Sequence, residues 1–253
     1  MTRIIAVASG KGGVGKTTLV SNLSAALAGF NRSVIAIDGN TTTPNLGLHL
    51  GIPLYPKSLQ DVIKGKVSIR EAIYYHSDGF SVVPADMSVK GIMTMQPHRL
   101  MDSIYKLLGE SEFVLIDTAA GLGKEATSAI KAADELLVVT NPDMASLTDA
   151  LKLIKVAEGY ETKLMGVVLN RVRGDGTELS VSEVEGFLGA PVIGTVNEDY
   201  AVRKATSERS PVVSHSPNSL AARQFTAIAA GISGESYRVR VPIMSRLFSW
   251  LRI

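Results

Sequence analysis

Apolar residues gather along this chain in short unbroken runs, at residues 3–8, 33–37, 80–84, 112–117, 135–140, 164–170 and 191–196. Ile4-Ile5-Ala6-Val7-Ala8 and Val114-Leu115-Ile116 show no polar alternation. A strand with one wet face alternates, so runs of this kind predict strands buried on both faces. Helix-capable segments separate most of the runs. In Thr18 to Ala28, for example, Leu19, Leu23, Ala26 and Leu27 fall near helical spacing. Strand and helix in alternation predict an α/β fold, a mostly parallel twisted sheet with helices on both faces. Ligands of such sheets lie across the carboxyl ends of the strands.

Composition limits this picture in useful ways. With 253 residues, 45 % of them hydrophobic, the chain has material for one large core, and residues 1–231 read as one domain. No internal repeat or low-complexity tract interrupts it. There is no cysteine, which excludes disulfides and thiolate-bound metal. His49, His76, His98 and His215 lie far apart without zinc-motif spacing, so no chemistry is assigned to them. The amino-terminal apolar run has five residues, too few for a signal peptide, and no segment approaches the roughly 20 apolar residues of a spanning helix. A soluble, cytoplasmic protein is the expectation.

Chemistry enters directly after the first strand. Gly10-Lys11-Gly12-Gly13-Val14-Gly15-Lys16-Thr17 stands between the run 4–8 and the helical segment from Thr18, the strand–loop–helix setting of a phosphate-binding loop. Glycines permit the dihedrals that turn successive N–H groups of Gly12, Gly13, Val14, Gly15, Lys16, Thr17 and Thr18 toward phosphate oxygens, and the helix start adds partial positive charge. In such a loop Lys16 neutralises β- and γ-phosphates and the Thr17 hydroxyl ligates Mg²⁺. ATP and Mg²⁺ are therefore the expected ligands. Asp117 ends the run 113–117 at the carboxyl edge, where a carboxylate holds Mg²⁺ through water, although a strand-ending Asp also forms turns.

The second lysine gives Lys11-Gly12-Gly13-Val14-Gly15-Lys16-Thr17-Thr18, which resembles the deviant Walker A loop of the MinD/ParA family of P-loop ATPases. The likeness runs through most of the chain. Val34-Ile35-Ala36-Ile37-Asp38 and Asn45–Gly51 resemble a strand leading into the family's switch I. Phe113–Asp117 followed by Thr118-Ala119-Ala120-Gly121-Leu122-Gly123 resembles a Walker B strand entering switch II. The resemblance implies that Lys11 crosses a dimer interface to the partner's nucleotide, so that ATP joins two subunits. It further implies that Asn170, with Arg171 and Asn197, frames adenine, and that an activator or cargo protein binds. Family members carrying an iron–sulfur cluster are excluded by the lack of cysteine.

Two positions depart from the pattern. Asn40 stands where the family usually places a second aspartate, in an Asp-x-Asp arrangement beginning at Asp38, to orient or activate the attacking water. An amide is no general base, so slow or lost hydrolysis is expected. Asn197 occupies a place where proline is usual.

The carboxyl end differs from everything before it. Gly231 to Ser236 reads as a hinge, with residues 232–241 as linker. Arg238, Arg240, Arg246 and Arg252 then follow without an acid, which leaves the rest of a +2 chain at −2. On a helical wheel Ile243, Met244, Leu247, Phe248, Trp250 and Leu251 share an arc of roughly 160°. Residues 242–253 therefore read as an amphipathic helix suited to an anionic membrane surface, or alternatively packed on the protein's own core. The segment also resembles the membrane-targeting helix of MinD proteins. Taken together, the expectation is a MinD-like ATPase that dimerises on ATP and binds the inner membrane face reversibly. The alternatives are a ParA-like DNA-partitioning ATPase and a nucleotide-gated scaffold with negligible hydrolysis. Arginines interleaved with a continuous apolar face suit lipid better than a phosphate backbone alone.

Overall fold

A computed structural model describes residues 1–52, 55–87 and 97–237. The proposed tail helix, 242–253, lies outside the described residues, so its helicity is an expectation from sequence. Along the chain come β1 (Arg3–Ala8), α1 (Lys16–Gly29), β2 (Val34–Asp38), α2 (Leu46–His49), α3 (Leu59–Ile63), β3 (Tyr74–Tyr75) and β4 (Ser81–Val83). There follow α4 (Pro97–Tyr105), β5 (Phe113–Asp117), α5 (Lys124–Lys131), β6 (Glu135–Thr140), α6 (Met144–Ala157) and β7 (Lys163–Val172). The last elements are α7 (Val181–Leu188), β8 (Val192–Asn197), α8 (Tyr200–Ser207), α9 (Val212–His215) and α10 (Leu220–Ser233).

Among the described residues the strands form one sheet of eight in the order β3-β4-β2-β5-β1-β6-β7-β8. All neighbours are parallel except β3 and β4. The unbroken apolar runs are explained by the two layers that cover the sheet. Ile4, Ala6 and Ala8 of β1 join the core beneath α4, α5 and α6, whereas Ile5 and Val7 join the core beneath α1 and α10. All five are almost completely buried, so the period of two sorts residues between two dry faces.

Every run expected as a strand is one: 3–8 and 135–140 keep their bounds and the others shift by one or two residues at an end. β7 reaches Val172 because a register irregularity lets it keep pairing with β8 beyond the expected end at 170. β3 was not legible, since two tyrosines carry no period; they pair antiparallel with Ser81 and Val82 at the sheet edge. Helix α1 begins two residues before the expected Thr18, which brings Lys16 and Thr17 into its first turn. The expected hinge at Gly231 is corrected. α10 continues to Ser233 and ends on Gly234 at φ 73°, the left-handed conformation that glycine adopts most readily. Residues 232–237 are tied to the body of the fold rather than serving as linker: the Ile232 carbonyl accepts from Arg3, Glu235 pairs with Arg32, and Tyr237 meets the edge of Phe30.

Helix α10 holds α1 against the sheet, and Phe225, 1 % exposed, lies in their shared core. Phe225→Ala is expected to cost about 3–5 kcal/mol through lost burial and an unfilled cavity. Urea denaturation measures this, and a loss under about 1 kcal/mol would show that α10 is not integral to the core.

Candidate functional site

The site begins at the start of α1. Helices α6, α7, α8 and α10 each have an Asp or Ser side chain accepting from a first-turn amide. α1 has none, and no acid in its first turn. Its N-cap is Gly15 at φ 103°, a left-handed conformation, and a Cβ there would lie 2.1 Å from the Asn170 amide nitrogen. The amides that open α1 thus remain available to an external anion, reinforced by the helix dipole. At the other end of the loop a Cβ on Gly10 would lie 2.2 Å from the carbonyl oxygen of Asp149, so α6 packs directly on the loop backbone.

Three charged side chains converge beneath this loop. Lys16 Nζ donates to Ser9 Oγ at 2.9 Å, and Ser9 Oγ donates to the Lys11 carbonyl at 2.7 Å. Thr17 Oγ1 donates to Asp117 Oδ2 at 2.6 Å, while Asp117 Oδ1 is buried without a partner among the described residues. Asp38 and Asp117 stand side by side, paired in register at the ends of β2 and β5. Asp38 accepts from the amides of Asn40, Asn45 and Leu46 at 3.2, 3.1 and 3.0 Å.

Burial governs the protonation of this cluster. It lifts Asp117 from 3.8 to about 6, against the opposing Thr17 hydrogen bond and Lys16 charge. Burial, then the Asp117 charge, pushes Asp38 well above the usual carboxylate range despite its three amide donors. Burial likewise lowers Lys16, an effect that Asp117 partly opposes. Two carboxylates that cost energy to ionise, with one oxygen unpaired beside a hydroxyl and phosphate-ready amides, fit a hydrated Mg²⁺ carried in with a phosphate. Among the described residues no group of three or more His, Cys, Asp or Glu holds a metal unaided.

Two clefts meet at this loop. One of about 300 Å³ brings together Gly12, Gly13, Gly15, Lys16, Thr17, Thr18, Asn40 and Arg171. The other, about 290 Å³, brings Asn170, Arg171 and Asn197 to Gly15 and Thr18. Val14 is instead a core residue, 2 % exposed, and contributes only its backbone, whose carbonyl accepts from Asn170 Nδ2 at 2.7 Å. Lys11 is exposed and lines neither cleft. Its charge reaches Asp143: burial pushes that carboxyl up, but Ser146 and Lys11 outweigh it, leaving it below the ordinary value.

Asn40 is engaged within its own loop. Its Oδ1 accepts from the Thr43 amide at 3.1 Å and its Nδ2 donates to the Thr43 carbonyl at 2.7 Å. That loop is fastened to α5 as well, since Glu125 accepts from the hydroxyls of Thr41 and Thr42. Asn197 is also spoken for: Gln224 Nε2 donates to its Oδ1 at 2.6 Å, and its amide donates to Gln224 Oε1 at 2.9 Å. Gln224, Glu125 and Thr43 escaped sequence reasoning because no local motif contains them. Long-range packing makes Gln224 and Glu125 neighbours of the site, whereas Thr43 meets Asn40 through the local turn of their shared loop.

Known proteins share this family and fold. The CobQ/CobB/MinD/ParA nucleotide binding domain matches residues 5–212. An uncharacterised ATP-binding protein of Methanocaldococcus jannaschii is 41 % identical over 241 residues, 95 % of this chain and 91 % of that protein. The structure of the septum site-determining protein MinD from Pyrococcus horikoshii complexed with Mg-ADP superposes with a TM-score of 0.88. It is 34 % identical and covers 92 % of this chain and 96 % of that one. MinD in the MinC:MinD cell division complex of Aquifex aeolicus gives a TM-score of 0.86 at 28 % identity, covering 95 % and 99 %.

For a carboxyl whose native pKa is raised, folding cost is absent below 3.8, sets in between 3.8 and about 6, and is complete above that. Asp117→Asn is therefore expected to stabilise the nucleotide-free protein at pH 7 by about 1–3 kcal/mol, with the gain vanishing toward pH 4. The same variant is expected to lose the extra thermal stabilisation that Mg²⁺ adds to nucleotide. Thermal melts across pH check both, and an unchanged or lowered melting temperature at pH 7 would contradict the electrostatic account.

Proposed function

Because the chain belongs to the CobQ/CobB/MinD/ParA nucleotide-binding family, we propose that it is a MinD-like ATPase whose nucleotide-bound form dimerises and docks reversibly on the inner face of the cell membrane. The observation that carries this reading is the uncapped start of α1, whose free amides face a cleft lined by the buried Lys16 and by Thr17, with buried Asp117 behind it accepting from the Thr17 hydroxyl. Such a site suits the phosphates of a Mg²⁺-bound nucleotide. The loop amides and Lys16 hold phosphate oxygens, Thr17 and Asp117 would hold Mg²⁺, the latter through water, and Asn170 with Arg171 and Asn197 frames the base. Mg²⁺, when bound, supplies charge neutralisation for the phosphates. Asp38 fixes the Asn40–Leu46 loop over the cleft through its three amide bonds and thereby sets where a water can stand.

That Lys11 is exposed and lines neither cleft of its own protomer supports a role toward a second subunit. A dimer would present two copies of the basic, amphipathic tail, and the pair gains avidity for anionic lipid that one short helix lacks. Among the described residues no helix is long and apolar enough to cross a membrane, so attachment is peripheral in this reading. A partner protein that reads the dimer, as activator or cargo, completes the cycle.

Asn40 favours a second reading, a nucleotide-gated scaffold that hydrolyses ATP negligibly. Its amide is no base, and both ends of that amide are held by Thr43. Single-turnover phosphate release decides between the two. Asn40→Asp is expected to raise the rate by about tenfold or more, because a carboxylate polarises water where an amide only orients it. A rate equal to wild type would place water activation elsewhere.

Sedimentation with and without anionic liposomes tests the cycle itself. Lys16→Ala is expected to lose ATP binding, dimerisation and liposome binding together, whereas Lys11→Ala keeps monomer affinity for ATP and loses the dimer. Removal of 242–253 is expected to spare both nucleotide binding and the dimer while abolishing liposome binding. A Lys16→Ala dimer of wild-type strength, or truncated protein that still sediments with lipid, would refute the corresponding link.

A further inference from the structure

A second concavity lies at the opposite end of the sheet from the nucleotide cleft. It encloses about 1010 Å³ where the amino ends of β1, β5, β6 and β7 meet the chain that follows α4. Tyr105 and Leu108 line it while 44 % and 53 % exposed, so two large apolar side chains share a groove open to water. Its charged lining is mixed, and its glutamates are already paired: Glu110 with Arg70, Glu112 with Arg32 and Glu135 with Arg3, beside Asp134, Lys163 and the Met1 ammonium.

The described chain ends beside this groove. Arg3, part of its wall, donates to the Ile232 carbonyl in the last turn of α10 at 2.5 Å. Arg32 joins the wall residue Glu112 at 3.1 Å to Glu235 at 2.6 Å, and Tyr237 packs edge-on against Phe30 with ring centres 6.3 Å apart. Residues 238–242 reach at most about 17 Å from that point, and a helix over 243–253 is about 16 Å long. The segment therefore starts at the rim of the groove with length enough to lie along it. Its apolar residues, Trp250 and Phe248 among them, match the exposed apolar lining of Tyr105 and Leu108.

We propose that, without lipid, residues 243–251 seat in this groove of their own protomer, apolar face against Tyr105 and Leu108. The same face cannot meet lipid while seated, so release from the groove precedes any use of the tail elsewhere. The seat follows from where α10 ends and from what the groove exposes, and it stands whether or not the tail binds membranes.

The chain supplies its own probe, since Trp250 is the one tryptophan and there is no cysteine. In lipid-free full-length protein, acrylamide quenching of Trp250 is expected to fall well below that of a free peptide of residues 238–253. Leu108→Glu sets a charge under the apolar face and is expected to weaken seating by about tenfold or more, returning quenching toward the peptide value. Circular dichroism and ATP affinity equal to wild type confirm that this exposed position leaves the fold intact. Independently, Leu108→Cys combined with Leu251→Cys is expected to form an intramolecular disulfide on mild oxidation. Wild-type quenching equal to the peptide's, protection that persists in Leu108→Glu, or absence of the intramolecular disulfide would each overturn the proposal. Neither readout contains lipid, so failure here leaves the membrane reading standing, and the converse holds.

Discussion

Two carboxylates buried side by side at the ends of β2 and β5 are the constraint on which this site is built. Asp38 and Asp117 are each 1 % exposed and adjacent in register. Ionising both in a dry environment is costly, and the protein offsets the cost only partly, through Lys16, the Thr17 hydroxyl and three amides of the following loop. Asp117 Oδ1 is left unpaired among the described residues. An arrangement of this kind is poor for stability and good for a cation arriving with phosphate, which is the usual sign of a functional position.

The rest of the fold serves to hold that pair in place. Parallel strands deliver both aspartates to one edge, and the two-layer burial of β1, β2 and β5 fixes their register against slippage. The loop from Ser9 to Thr17 is clamped from both sides, by α6 packing on Gly10 and by Asn170 on the Val14 carbonyl. The uncapped α1 then places its amides opposite the carboxylates. Positive and negative halves of the site therefore sit on different elements, and only the assembled sheet joins them.

Much of this was legible because it is local. A buried run, a glycine-rich turn and a helix occur in direct succession from Arg3 to Gly29, and each predicts the next. The strand ends at Asp38 and Asp117 were legible for the same reason. What escaped depends on loop geometry or on distant partners. Asn40 looks like a water-positioning residue in sequence, yet Thr43 occupies its amide; Asn197 is held by Gln224, twenty-seven residues away. Gly231 reads as a hinge, but helix propensity and packing carry α10 three residues past the break it suggests, to a cap at Gly234. The groove at the amino ends of the strands has no sequence signature at all, because its lining comes from several strand starts.

The central claim is that a bound cation relieves the buried Asp38–Asp117 pair. Calorimetric titration with Mg²⁺-ADP at pH 6, in two buffers of different ionisation enthalpy, counts the protons exchanged on binding. The account predicts that wild-type protein releases protons as Asp117, raised to about 6, ionises against the incoming charge, and that Asp117→Asn releases measurably fewer. Equal proton release from the two proteins would contradict it.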